Sequence, residues 1–226
     1  MMASLQNRAW LNLAALALVM GAVLFGTAGT LRFWQAWIYL LLFVGLSALI
    51  TVDLARRDPA LLQRRLKGGP MAERRPVQRL IMLGASLGFV GVLTVPALDA
   101  RFGWSAMPLS IVVLGDLLLV AGFGLIGRVY RENTYTSATI EVVSGQRVIS
   151  TGPYAVVRHP MYAGGGLYLL GTPLALGSYW GMLGLVLMLP FLLWRLLDEE
   201  RLLVRDLPGY ADYRSRVRYH LIPFVW

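Results

Sequence analysis

The sequence predicts an all-α integral membrane protein with about six hydrophobic helical segments, four spans followed by a C-terminal helical hairpin. A small cytoplasmic β-hairpin and a C-terminal helix complete it, with no Rossmann fold. Three observations carry that prediction. Of 226 residues, 57% are hydrophobic and only 15% charged, against roughly 45–50% and about 25% in soluble domains, and mean hydropathy is +0.62. The apolar residues gather in windows of about 20, the length that crosses a bilayer core. The 21 Lys and Arg fall almost wholly between alternate windows. This composition excludes a soluble enzyme, a disordered chain and a collagen. The absence of cysteine excludes a disulfide scaffold, a thiolate metal site and a cysteine nucleophile.

The first window, 9–29, holds no charge. No small-residue cleavage site follows it, and Gly29-Thr30-Leu31 leads straight into the next apolar run, so it reads as a mature helix rather than a signal peptide. The second, 34–52, opens with Trp34, Trp37 and Tyr39, an interfacial aromatic belt. Windows 79–97 and 108–127 follow. Beyond Tyr162 runs a charge-free stretch of 32 residues to Trp194. That is too long for one helix, and Gly177-Ser178 near its middle divides it into arms at 162–176 and 179–197. The first arm reaches only about 22 Å at ~1.5 Å per residue. The connection 53–79 holds eight basic residues. Placed in the cytoplasm, it puts 19 of the 21 on that side with both termini, leaving only Arg32 and Arg101 outside. The net charge of +9 is thereby topology and lipid attraction, not nucleic-acid binding.

On the basic side, Thr139–Val143, Ser144-Gly145 and Gln146–Ser150 read as a β-hairpin with a glycine turn. The tail, 198–226, begins as a charged helix leaving the membrane. It then carries Pro208-Gly209, Tyr210 and Tyr213, and an apolar end. With no repeat or low-complexity tract, residues 1–226 form one domain.

Several motifs could carry chemistry. Gly122, Gly124 and Gly127 spell GxGxxG, but inside a membrane helix without a preceding strand they read as close helix packing. Gly84 and Gly88 read the same way, within the chain or between copies. Asp116 is the one charge in mid-span; far from the other polar candidates, it reads as a carboxyl hydrogen-bonded to a neighbouring helix. His159 and His220 lack metal-ligand spacing, so no metal site is expected. The stretch Gly152-Pro153-Tyr154-Ala155-Val156-Val157-Arg158-His159-Pro160-Met161-Tyr162-Ala163-Gly164 gathers donors and rings where the chain re-enters the membrane. As a rigid loop it needs only Pro160 at a helix start and Arg158 snorkelling to headgroups; its other polar groups call for a ligand. At the hairpin's far end stand Arg195, Asp198, Glu199 and Glu200. Arg195 and Glu199 are spaced i, i+4, with base before acid, the weaker order for helix stabilisation. A hairpin brings 158–162 and 195–200 together, building a polar pocket beside apolar helix. It suits an enzyme or carrier acting on an amphipathic molecule.

The run from Gly152 to Gly164, the charge-free hairpin, the Glu199-Glu200-Arg201-Leu202-Leu203 stretch and the tail from Pro208 to Phe224 resemble the isoprenylcysteine carboxyl methyltransferase and phospholipid methyltransferase family. The resemblance covers about the last hundred residues. It implies an integral membrane methyltransferase that uses S-adenosylmethionine (SAM). It implies that Gln146, Arg147, Val148, Ile149, Tyr154, His159, Pro160, Met161, Tyr162 and Glu200 bind the cofactor, and that Arg195 and Glu199 are catalytic, holding the methyl acceptor. Members often carry histidine where this chain has Gln146, which can still hydrogen-bond. The expected acceptor is lipophilic, a small molecule or a prenylated protein tail, and most simply a carboxylate, already ionised near neutral pH. Arg195 would then grip it bidentately. An amine or thiol acceptor would need a base, Glu199 or His159. The rival readings are an NADPH-dependent reductase of the sterol type, whose C-terminal region shares a similar motif, and a non-enzymatic lipid-binding accessory. Twenty arginines against one lysine point to a GC-rich prokaryotic genome, hence an inner membrane.

Overall fold

A computed structural model of the chain describes every residue except Met1 and Arg74. Eight α-helices follow one another: α1 (Met2–Ala28), α2 (Trp34–Arg57), α3 (Pro59–Arg65), α4 (Pro76–Phe102), α5 (Leu109–Glu132), α6 (Pro160–Ala175), α7 (Gly181–Asp206) and α8 (Tyr210–Arg216). Five of them, α1, α2, α4, α5 and α7, are long and apolar enough to cross a membrane. The protein is an all-α, multi-spanning membrane protein. The sixth apolar segment is not a span of that kind: α6 has 16 residues, about 24 Å at 1.5 Å per residue, short of a ~30 Å hydrocarbon core.

The expected arms 162–176 and 179–197 lie in α6 and α7, but each packs mainly on an earlier helix. Along α5 and α6 glycines let the backbones touch. A Cβ on Gly122 would lie 2.6 Å from the Gly164 carbonyl oxygen, and one on Gly171 2.5 Å from that of Gly115. Gly124 and Gly127 take no part, since a Cβ there would meet nothing closer than 3.9 Å. Along α4 and α7, Gly84 sits under the Phe191 ring and Gly88 against Met188. The Gly84–Gly88 stripe is therefore a seam within the chain. Because Gly164 faces Ile126, α6 starts well before the level at which α5 ends, and the segment 133–159 folds back over the end of the bundle.

Between the helix pairs, Phe43 meets Phe123 edge-on with ring centroids 5.2 Å apart, and buried Tyr39 shares a 3.3 Å hydrogen bond with Thr172. At the end away from the arginine-rich segments, buried Asp99 accepts from the Ser105 amide and hydroxyl (both 2.6 Å) and from the Ser178 hydroxyl (2.5 Å). This fastens the α6–α7 turn to α4. Asp116 does not make the expected bond to a neighbouring helix: its Oδ1 is buried with no partner among the described residues.

The predicted β-hairpin is absent, and no strand exists among the described residues. Its turn does form: Gln146 N–H donates to the Val143 carbonyl at 2.9 Å, with Gly145 at φ +74°. The arms beyond it cannot pair. The Val143 amide donates to Gln146 Oε1 at 2.9 Å, and the carbonyls of Ser137 and Ala138 accept from Arg65 and Arg195 at 2.6 and 3.0 Å. The Gln146 side chain thus takes the Val143 amide that would close the ladder at the turn, and Arg65 and Arg195 hold the two residues just before the first predicted arm.

Candidate active site

The loop that leads into α6 is set by its glycine and proline. Gly152, at φ +56°, takes a conformation that side chains resist, and a Cβ there would strike the Glu132 carboxyl at 2.9 Å. Pro160 occupies the first turn of α6 with His159 as its cap residue, where a missing N–H costs nothing. Arg158, expected to snorkel to headgroups, is instead 5% exposed. Its Nε donates to Glu200 Oε1 (2.6 Å), its Nη1 to the Val217 and Arg218 carbonyls (2.8 and 2.6 Å), and its Nη2 lies 2.6 Å from His220 Nε2. The amides of Arg158 and His159 donate to the Tyr219 and His220 carbonyls at 2.9 and 3.0 Å. The tail is thereby clamped beside the loop.

His159 is buried between two rings. Tyr162 lies edge-on at 5.8 Å and His220 parallel at 6.3 Å. Burial pushes its pKa down to about 4, against the pull of Glu200, so the ring is neutral near pH 7. Glu200, 4.0 Å from Nε2, is therefore not its ion-pair partner, and His159 Nε2 is buried with no hydrogen bond. The Tyr210 hydroxyl is a second buried polar atom without one; burial raises its pKa, so it keeps its proton. Tyr213 donates to the Tyr154 carbonyl at 2.7 Å, and Asn133 Nδ2 donates to the Tyr154 hydroxyl at 2.9 Å. These bonds fix the Tyr154 ring.

On α7, Tyr162 donates to Glu199 Oε2 at 2.6 Å. The expected meeting of 158–162 with 195–200 is present, but Arg195 and Glu199 do not pair with each other. Arg195 donates to Gln78 Oε1 at 2.8 Å and lies 2.7 Å from Glu73 Oε1. Arg75 grips Asp198 through two bonds of 2.6 and 3.0 Å, and buried Gln78 Nε2 adds a third at 2.5 Å. Glu73, Arg75 and Gln78, legible in sequence only as part of a basic connection, therefore dock on α7. One signal was available: three consecutive acids at 198–200 on a helix leaving the membrane require cations to meet them.

Eleven of the twelve expected site residues line one cavity of about 710 Å³: Gln146, Arg147, Val148, Ile149, Tyr154, His159, Pro160, Met161, Tyr162, Arg195 and Glu199. Glu200 does not. It stands behind the wall, between Arg158 and His220. The cavity continues past Tyr168 into apolar surface formed by Met82 and Phe89 of α4 and Met188 and Leu192 of α7. One end offers polar groups and rings, the other hydrocarbon. Together they match an amphipathic pair of reactants.

Fold and site define a multi-spanning helical membrane enzyme that works on lipophilic molecules. Residues 110–207, less than half of the chain, match the family model for phospholipid methyltransferase, a family that includes the isoprenylcysteine carboxyl methyltransferases. At the level of the family it is a SAM-dependent methyltransferase with a lipophilic substrate. No curated protein matches the chain. The residues present fit the cofactor: His159 and Tyr210 line the cavity, and His159 Nε2 and the Tyr210 hydroxyl are buried in its wall without a hydrogen-bond partner, the unsatisfied polar groups that a bound polar ligand would explain.

Proposed function

We propose that the polar end of the cavity holds SAM, that the apolar end admits a lipophilic carboxylate from the bilayer, and that the product is its methyl ester. The observation that carries this reading is the pair of unpartnered buried polar atoms, His159 Nε2 and the Tyr210 hydroxyl, on two residues lining a cavity that runs on into an apolar wall. SAM, when bound, supplies an electrophilic methyl group on a sulfonium. Tyr154 and Tyr162 offer ring faces to that cation. Glu199, held by the Tyr162 hydroxyl, sets a negative charge beside it. The 146–149 stretch forms the facing wall. Arg195 acts as a positioning residue, since Glu73, Gln78 and the Ala138 carbonyl take its terminal nitrogens.

The choice of a carboxylate rests on base chemistry. An amine or thiol must lose a proton to react; His159, at about 4, is too weak a base near pH 7 to take it, and Glu199, the other candidate base, is already engaged by the Tyr162 hydroxyl at 2.6 Å. A carboxylate needs no base, only alignment in a site closed to water. The excess of basic residues supports a cytoplasmic position for the SAM end. Calorimetric titration of the purified protein with SAM and with NADPH, followed by transfer of labelled methyl to a prenyl-chain carboxylic acid, amine and thiol, tests the proposal. Tight SAM binding and transfer to the acid are expected. Binding of NADPH alone would place the protein among the reductases, and transfer to the amine or thiol alone would overturn the carboxylate.

A further inference from the structure

Four arginines line the cavity: Arg65, Arg147, Arg158 and Arg195. Arg158 is paired with Glu200 and Arg195 with Glu73, while Arg147 is exposed to solvent. Arg65 differs from all three. It ends α3, whose start is fixed by the Asp58 side chain accepting from the Leu61 amide at 2.9 Å and whose Leu61 and Leu62 are buried. Its guanidinium lies over the Tyr130 ring, 5.3 Å from the centroid, and Nη1 donates to the Ser137 carbonyl at 2.6 Å. The Tyr130 side chain, which also hydrogen-bonds Arg65, and the Ser137 carbonyl fix the plane of the fork, and its remaining N–H groups are left for a ligand. Among the described residues no carboxylate lies within 4 Å of it. Yet it is within electrostatic reach of Tyr168, at the start of the apolar wall, and of Glu199, at the polar end.

A half-buried cation without a counter-ion, at the junction of the two ends, is suited to an anionic ligand. Resting on the reading of the cavity given above, we infer that Arg65 is the residue that holds the acceptor's carboxylate. In the transfer a carboxylate oxygen forms a bond to the methyl carbon as the carbon–sulfur bond breaks. The electron pair stays on sulfur, and the acceptor's negative charge is lost in the ester. Arg65 therefore grips substrate more strongly than transition state or product. Its contribution is to ground-state binding, so its loss raises KM and leaves kcat unchanged or higher, and the neutral ester is released.

The test compares Arg65→Gln and Arg65→Lys with the parent, using a prenyl-chain carboxylic acid, its methyl ester and phosphatidylethanolamine in defined vesicles. Arg65→Gln should raise KM for the acid at least tenfold, leave kcat unchanged or higher, and keep the SAM Kd within twofold. Affinity for the neutral methyl ester should not change, and Arg65→Lys should fall between. A fall in kcat at unchanged KM, or equal weakening of SAM, acid and ester, would overturn the inference and make Arg65 structural. Turnover of the acid by parent and variant alike would remove Arg65 and leave the proposed function standing. An effect of Arg65→Gln on phosphatidylethanolamine alone would mean that the anion held is a phosphate, overturning the carboxylate assignment. No turnover of any carboxylate by the parent would bring down both readings.

Discussion

Replacing Arg158 by Met removes a cation whose side chain is 4% exposed and which faces a carboxylate 8% exposed. The variant leaves Glu200 with His220 alone, at 2.8 Å, and strips donors from the Val217 and Arg218 carbonyls. Removing one partner of a buried ion pair costs about 3–5 kcal/mol, because the other charge stays buried without compensation. Glu200→Gln should cost a similar amount by stranding Arg158. The double variant Arg158→Met with Glu200→Gln leaves no stranded charge, so its cost should be well below the sum of the two singles. Thermal unfolding gives the total, and hydrogen exchange at the Arg158 and His159 amides, which donate to Tyr219 and His220, gives the local share. Exchange there should accelerate in each single variant before the spans loosen. In Glu200→Gln, SAM affinity should fall only as far as the tail is released, since Glu200, unlike Arg158, lies outside the cavity. A single-variant cost under about 1 kcal/mol, or strict additivity in the double, would refute the clamp.

His159 makes stability depend on pH. Its folded pKa, about 4, lies below its ordinary 6.5 because of burial, with Glu200, His220 and Arg158 as its charged or titratable neighbours and the Tyr162 ring edge-on. Its contribution is full above pH 6.5 and is lost as pH falls toward 4, at up to about 1.4 kcal/mol per pH unit. In melting curves between pH 7.5 and 4.5, His159→Gln should lose that part of the slope while neighbouring groups keep theirs; an unchanged slope would show that His159 is not held neutral. For orientation, a reporter fused after Trp226 should be active only in the cytoplasm, and activity on the far side would overturn the placement of the SAM end.

What the sequence disclosed and what it withheld divide along the range of the interactions. Charge-free windows of about 20 residues report burial in lipid directly, and the all-α, multi-spanning reading follows from them. The depth of α6 does not, because it is set by Gly122 meeting Gly164 and Gly115 meeting Gly171, and a glycine that marks close packing does not name the segment it packs on. The β-hairpin failed for the same reason. Its turn residues were legible, but the Val143 amide goes to the Gln146 side chain and the residues just before the first arm, Ser137 and Ala138, are held by arginines 72 and 57 positions away. Arg158 looked like a headgroup anchor because its acid lies 42 residues on. The motif around His159 and the acids after Arg195 could be brought together in advance, since a charge-free run of that length returns its ends to one side. Which partner each acid would take could not.

The three acids show how a single helix organises the site. Successive residues of a helix point about 100° apart, so Asp198, Glu199 and Glu200 must leave α7 in three directions. Asp198 turns to Arg75 and Gln78 at the start of α4, Glu199 to Tyr162 at the cavity, and Glu200 to Arg158 and the tail. The carboxylate that lines the cavity is thus flanked in sequence by two that are pinned to different parts of the protein. Rotating α7 to re-aim Glu199 would break both neighbouring ion networks at once. Arg195, one turn earlier, adds Glu73 to the same side as Asp198. Glu199 therefore owes its orientation to pairs it does not join. The base-before-acid order of Arg195 and Glu199, unfavourable for a pair on one helix, suits residues whose partners lie on other segments.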